Sequence, residues 1–173
     1  PCGAGYCHVG EVVEIGDEVE AVEVGTRVAT PASHAAWALL SPNQLFPIPN
    51  AISDEVATLW MLGRIAFNGM RRGRIEMGEA VAVFGLGLIG QFAAQLARIE
   101  GARPVIGVDL SPLRRGFARQ AGIDLVLDGA AEDLQEQIEA ATRGRMLDCV
   151  LEVTGVPSLI PREMDLLHRQ GRI

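Results

Sequence analysis

Apolar positions along this chain follow two different periods, and the change from one to the other divides it. Up to Asn50 the pattern is that of β structure. Val9, Val12, Val13 and Ile15 lead into a Gly16-Asp17 turn, a second turn at Gly25-Thr26 precedes Arg27-Val28-Ala29, and His34 to Leu40 forms another apolar stretch. Pro42, Pro47 and Pro49 then punctuate a linker that cannot carry a central strand. From Ser53, a residue suited to an N-cap, the pattern turns helical through Glu55, Val56, Leu59 and Leu62 to about Met70, as a crossover between two bodies would.

From Ala80 onward, strand and helix patterns alternate. A buried run, Ala80 to Phe84, enters a glycine-rich turn. The next residues are helical, with Ile89, Phe92, Ala93, Leu96 and Ile99 on one face and Gln91, Gln95 and Arg98 on another. Val105 to Val108 reads as a second strand, Ser111-Pro112 as the start of a helix ending at Gly122, and Leu125 to Leu127 as a third strand. Glu132 to Ala141 follows as a helix and Asp148 to Val153 as a fourth strand. Such alternation predicts an α/β fold, a doubly wound parallel sheet with helices on both faces. The chain stops at Gly171-Arg172-Ile173, where the next strand is expected to begin. A sheet of this type usually has about six strands, so a C-terminal truncation is expected.

The turn after the first of these strands is Gly85-Leu86-Gly87-Leu88-Ile89-Gly90, a G-x-G-x-x-G. In a dinucleotide fold Gly85 would allow the sharp bend, Gly87 would let the backbone approach a pyrophosphate, and Gly90 would let the helix pack closely on the sheet. The helix N-terminus, with Leu88 and Ile89 in its first turn, points free N–H groups at the phosphates. A lone G-x-G-x-x-G is weak, but here the second strand ends on Asp109, about 20 residues past the last glycine, where such a fold needs an acid for the ribose hydroxyls. A carboxylate there accepts from a free 2′-hydroxyl and repels a 2′-phosphate, so the expected cofactor is NAD. Arg114 could lie against the adenine or reach a phosphate, or be a solvated helix arginine.

The 173 residues are 49% hydrophobic, enough for one domain and part of another, and carry a net charge of −7. That charge disfavours nucleic acid as a partner, and the cluster Arg64, Arg71, Arg72 and Arg74 is too short to offset it. No apolar run approaches the roughly 20 residues that span a bilayer, and the N-terminal residues lack the order of a signal peptide, so no membrane association and a cytoplasmic location are expected. Cys2, Cys7 and Cys149 are too few for a disulfide framework. Cys149 reads as a small core residue, while Cys2 and Cys7 remain open for chemistry.

Several segments together match a known family: G-Y-C-H-V-G-E-V-V-E-I-G at Gly5 to Gly16, V-G-T-R-V at Val24 to Val28, the run from His34 to Pro49, the glycine loop, V-D-L-S-P at Val108 to Pro112, and L-E-V-T-G at Leu151 to Gly155. On these the chain resembles the medium-chain dehydrogenase/reductases, the alcohol dehydrogenase superfamily, over essentially its whole length. The resemblance implies part of a GroES-like catalytic β domain over residues 1–50, a helical crossover over 51–78, and a Rossmann NAD-binding domain over 79–173. It also implies that residues are missing from both ends. Zinc-dependent members carry G-H-E where this chain has Gly5-Tyr6-Cys7, and a further ligand near Met61, a thioether that zinc does not favour. Their cysteine-rich zinc lobe is absent, because Ala29-Thr30-Pro31 runs straight into His34. Cys7 and His8 could form half of a zinc site, but neighbours on a strand point to opposite faces. A metal-free member is therefore implied, similar to the bacteriochlorophyllide-dehydrogenase-like subgroup.

The expected function is an NAD-dependent oxidoreductase acting on a small alcohol or ketone. Gly85, Gly87, Leu88, Ile89 and Gly90 would cradle the pyrophosphate, Asp109 would hold the adenosine ribose with Arg114 beside it, and Thr154 with Gly155 would line the cleft near the nicotinamide. Thr154 is preferred over Thr142 because ligands sit at the carboxyl edge of such sheets. The catalytic acid or base is not assigned; Tyr6 and His8 are the side chains near the expected site that could serve. The alternative is a catalytically silent dinucleotide-binding sensor or partner subunit, and a third option is a zinc enzyme with ligands from residues outside this sequence. Relatives commonly pair through the last strand of the Rossmann sheet, so a homo-oligomer is an open option.

Overall fold

A computed structural model describes residues 4–173 and divides the chain into two compact units, the first running to Arg64 and the second Ile65–Ile173. The first unit holds a three-stranded antiparallel sheet. Strand β1 (His8–Glu11) pairs with β2 (Arg27–Thr30), which pairs with β3 (Phe46–Pro47), in the order β1-β2-β3. β2 is central and its Val28, Ala29 and Thr30 are buried. Pro47 is tolerated because β3 is an edge strand of two residues.

The apolar stretch from His34 to Leu40, read above as β structure, forms no strand. Its residues are largely exposed, Trp37 and Leu39 among them, and its Ala- and Leu-rich composition lacks the β-branched residues that favour a strand. The predicted crossover helix is two helices, α1 (Asp54–Ala57) and α2 (Trp60–Gly73). Ser53 caps α1 by accepting from the Val56 N–H. The Thr58 hydroxyl donates to the Glu55 carbonyl at 2.6 Å, at the break between them. Arg27 ties β2 to α1 through Asp54 at 2.5 Å and also donates to the Ile52 carbonyl.

The second unit is a five-stranded all-parallel sheet in the order β6-β5-β4-β7-β8, with strands β4 (Val81–Phe84), β5 (Val105–Asp109), β6 (Leu125–Asp128), β7 (Leu147–Glu152) and β8 (Leu167–Arg172). Helices α3 (Leu88–Glu100), α4 (Pro112–Gln120), α5 (Leu134–Ala141) and α6 (Ile160–Met164) connect them. Every residue of β4 is buried, and its side chains alternate between two cores. Val81 and Val83 pack with Ala93, Ala94 and Ala97 of α3 and with Ala66 and Met70 of α2, whereas Ala82 and Phe84 pack with Ile138 of α5. Small residues on α3 let it lie close to the sheet.

The strand expected to begin at Gly171 starts four residues earlier: β8 spans Leu167–Arg172. It escapes a hydrophobicity reading because its sequence is almost wholly polar. Arg172 fastens it inward by donating to the carbonyls of Gly73 and Arg74 at the end of α2 and pairing with Glu79 at 2.5 Å. That pairing holds the Glu79 carboxyl below its usual range. Among the described residues no helix is long and apolar enough to cross a membrane.

Candidate functional site

In a parallel sheet all strands deliver their carboxyl ends to one edge, and here the ends of β4, β5 and β7 meet there. The chain leaves β4 through Gly85, whose φ of +90° is open to glycine but costly to other residues. Its N–H donates to the Val108 carbonyl at 2.8 Å. A β-carbon at Gly85 would lie 3.0 Å from the Thr154 nitrogen, so the turn after β7 packs directly on this bend. Gly90 is tighter still: a methyl there would sit 1.8 Å from the Gly85 carbonyl oxygen. Gly87 differs from both. It is the N-cap of α3, has ordinary backbone angles and no side-chain cap, and faces open space. Leu88 and Ile89 follow in the first helical turn, with Leu88 exposed.

Asp109 closes the other side. It is 8% exposed, and its two oxygens each accept one backbone bond at 2.7 Å, Oδ2 from the Leu86 N–H of the glycine loop and Oδ1 from the Ser111 N–H. Arg114, on α4, approaches Oδ2 at 3.6 Å with its side chain more than half exposed. The sequence reading passed over its neighbour Arg115. Its half-buried guanidinium donates to the Asp109 and Leu110 carbonyls, both at 2.8 Å, and pairs with Asp128 at 2.8 Å, so it fixes the backbone that carries Asp109. Nothing in its helical spacing separates it from Arg114 or Arg119.

Beyond β7, Glu152 Oε1 accepts from the Thr154 N–H at 2.6 Å, the Thr154 hydroxyl at 2.5 Å and the Gly155 N–H at 2.9 Å. The Thr154 hydroxyl in turn accepts from the Val156 N–H. Burial pushes the Glu152 carboxyl upward, but the hydrogen bonds from Thr154, Glu163 and the backbone of the turn outweigh it, and the net shift is downward. Glu152 sits inside the L-E-V-T-G segment, yet only its backbone donors reveal what it does. Thr142, by contrast, is buried and spends its hydroxyl on the Ile138 carbonyl and the Met146 N–H. The structure thus brings Gly85, Gly87, Leu88, Ile89, Gly90, Asp109, Arg114, Thr154 and Gly155 to one sheet edge.

The remaining candidates lie in the first unit. Tyr6 is half exposed and Cys7 is a free, half-buried thiol; Cys2 lies outside the described residues. Both ring nitrogens of His8 are engaged, Nε2 with the Ala35 carbonyl and Nδ1 with the Thr30 hydroxyl, each at 3.2 Å. An imidazole bridging an acceptor and a hydroxyl has no free lone pair for a proton or a metal. Cys149 is buried in the sheet, which pushes its thiol up to about 11 and leaves it inert.

A family model described as zinc-binding dehydrogenase matches residues 89–173. The L-threonine 3-dehydrogenase of Alteromonas mediterranea is 28% identical over 204 aligned residues, which cover all of this chain and 59% of that protein. The D-guloside 3-dehydrogenase of Shigella flexneri is 33% identical over 168 residues, covering 95% of this chain and 48% of that protein. The chain belongs to the medium-chain dehydrogenase/reductase family. A solved structure of the same architecture, 2R,3R-butanediol dehydrogenase from Bacillus subtilis, superposes with a TM-score of 0.83 at 26% identity and covers 98% of this chain and 57% of its own. The chain therefore spans about half the length of the family members it matches.

Among the described residues no group of three His, Cys, Asp or Glu side chains is placed to hold a metal ion, and both ring nitrogens of His8 are already engaged.

Proposed function

We propose that this chain contributes the cofactor-binding half of an NAD(H)-dependent oxidoreductase that passes a hydride between a small alcohol and its ketone. In this reading residues 1–50 are part of a GroES-like domain, 51–78 a crossover and 79–173 the Rossmann domain. The observation that carries it is the pairing of Gly87, which opens the N-terminus of a 13-residue helix to free space, with Asp109, whose carboxylate is clamped at the rim of the same loop. The first supplies backbone donors and a positive dipole end for a pyrophosphate, the second an acceptor for hydroxyls.

An ionised carboxylate offers about four acceptor sites. Asp109 uses one on each oxygen for the backbone, so it retains capacity for ribose hydroxyls. A 2′-phosphate brought to the same place would face this carboxylate, which supports NAD over NADP. Arg114 is already drawn to Asp109, and its exposure leaves it little power to reverse that choice. Thr154 and Gly155, held by Glu152 against Gly85, line the cleft on the nicotinamide side. The cofactor, when bound, supplies the hydride donor or acceptor; the side chain that polarises the carbonyl is not assigned.

Fluorescence titration with NADH and NADPH tests the reading. Tighter binding of NADH is expected, NADPH preference would refute the role given to Asp109, and failure to bind either would overturn the assignment of the glycine loop. Turnover of a panel of secondary alcohols and ketones then separates an enzyme from a silent binding subunit.

A further inference from the structure

Glu163 is a buried ionisable group that the cofactor site, as described, does not use. It lies on α6 with 1% of its surface exposed, and neither carboxyl oxygen receives a hydrogen bond from an N–H or from a hydroxyl. Its neighbour is Glu152, at the end of β7. Its Oε1 takes all three donors of the Thr154–Gly155 turn, while its Oε2 is buried and lacks any such donor. The two carboxyl groups adjoin, and three of their four oxygens lack an N–H or hydroxyl donor.

Among the described residues no cation is paired with them. Arg162, next to Glu163 on α6, is turned to the carbonyls of Gly129 and Ala131. On β8, His168 is committed to Asp148, Arg172 to Glu79, and Arg169 is exposed. Among the described residues no ion pair reaches either carboxylate. Two buried negative charges in contact would be prohibitively costly. One proton held between them removes the repulsion and supplies the missing donor.

We propose that Glu163 is a positioning residue for the cofactor turn: kept neutral, it donates to Glu152 Oε2 and thereby holds Glu152 Oε1 where it gathers Thr154 and Gly155 against Gly85. The chain of contacts is continuous, from Glu163 to Glu152, from Glu152 to the Thr154 nitrogen and hydroxyl, and from Thr154 to the bend at Gly85. Burial pushes the Glu163 carboxyl up to about 8, and the hydrogen bond and charge of Glu152 act in the same direction. No other ionisable group shifts it. Above that pH the proton leaves, two carboxylates confront each other, and the turn loosens from the glycine loop. The site is then built to bind dinucleotide in neutral and acidic conditions and to release it in alkaline ones. This inference rests on the cofactor reading given above.

The test is the dissociation constant of NADH as a function of pH for the native chain, E163Q and E163M. Native binding is expected to hold steady to about pH 7 and to weaken about tenfold by about pH 9.5. E163Q keeps a donor toward Glu152 but cannot ionise, so its profile is flat through that range; E163M removes the donor and binds severalfold more weakly than the native chain at neutral pH, with a flat profile. An alkaline loss that survives in E163Q overturns the proposal, as does native-like affinity in E163M at neutral pH. The infrared spectrum reads the shared proton without any ligand: a protonated-carboxyl band is expected at neutral pH in the native chain and not in E163Q. If the native chain binds no dinucleotide at any pH, the cofactor reading fails and the positioning role with it, while the band still decides whether the pair holds a proton.

Discussion

The two outer glycines of the loop and the middle one are glycine for different reasons, and substituting each by alanine separates fold from ligand. At Gly90 the added methyl would overlap the Gly85 carbonyl oxygen at 1.8 Å, and the obstacle is backbone, which has no rotamer to yield. Either α3 moves off the sheet or the bend moves, and overpacking of this kind costs about 1–3 kcal/mol or more. For a unit of about 100 residues, 1 kcal/mol corresponds to roughly 4–5 °C in Tm, so G90A should lower Tm by about 4–15 °C. At Gly87 the backbone angles are −68° and −169° and no atom lies within reach of the new methyl. Loss of unfolded-state freedom favours G87A by about 0.4–1 kcal/mol, while alanine is the poorer N-cap by a comparable amount, so stability should stay within about 1 kcal/mol of the native chain. The methyl does occupy the space through which a phosphate would approach. Losing one charge-assisted hydrogen bond there is worth about 1.5–3 kcal/mol, or roughly a 10- to 150-fold rise in the Kd for NADH. Differential scanning fluorimetry and NADH titration of both variants provide the readouts. A G87A variant that binds NADH as tightly as the native chain would refute the placement of the pyrophosphate, and an undisturbed Tm in G90A would refute the packing of the loop.

Three further outcomes follow from the same geometry. Leu86 is 1% exposed beneath the loop, so L86A should destabilise the chain by about 2–5 kcal/mol in denaturant unfolding. Arg115 bridges the Asp109 and Leu110 carbonyls to Asp128; R115A should cost about 1–3 kcal/mol and weaken NADH binding without changing the preference over NADPH. Because the Glu163 carboxyl is raised from 4.5 to about 8, its contribution to stability is complete below about pH 4.5 and is lost as pH climbs through about 8. The Tm of E163Q relative to the native chain should therefore grow across that window and level off above it, and a constant difference would contradict the shift.

The sheet was legible wherever burial on both faces forces continuous apolar runs. β4 and β5 were readable for that reason, and their flanking glycines and Asp109 followed from the spacing. Where backbone pairing and single side chains carry an element instead, hydrophobicity is silent: β8 is held by Arg172 and by its ladder to β7, with one apolar residue among six. The error at His34 to Leu40 is the converse, since apolar composition marks a strand only when a neighbour completes the ladder. That the glycine loop and Asp109 share one sheet edge could be placed from motif spacing alone. Arg115 and Glu163 could not, because whether a charged side chain in a short polar helix faces inward depends on where the helix packs.

The strand order also has a consequence for synthesis. β4 is the earliest strand of its sheet in the chain and lies at its centre, with β5 on one side and β7 on the other. β5 emerges soon after it, but roughly 60 residues separate β4 from β7, and at about 5–20 residues per second they take some 3–12 seconds to appear. Throughout that interval one edge of this fully buried strand has no native partner. It is during these seconds on the ribosome, rather than in the finished fold, that this sheet is most exposed to mispairing and most in need of a chaperone.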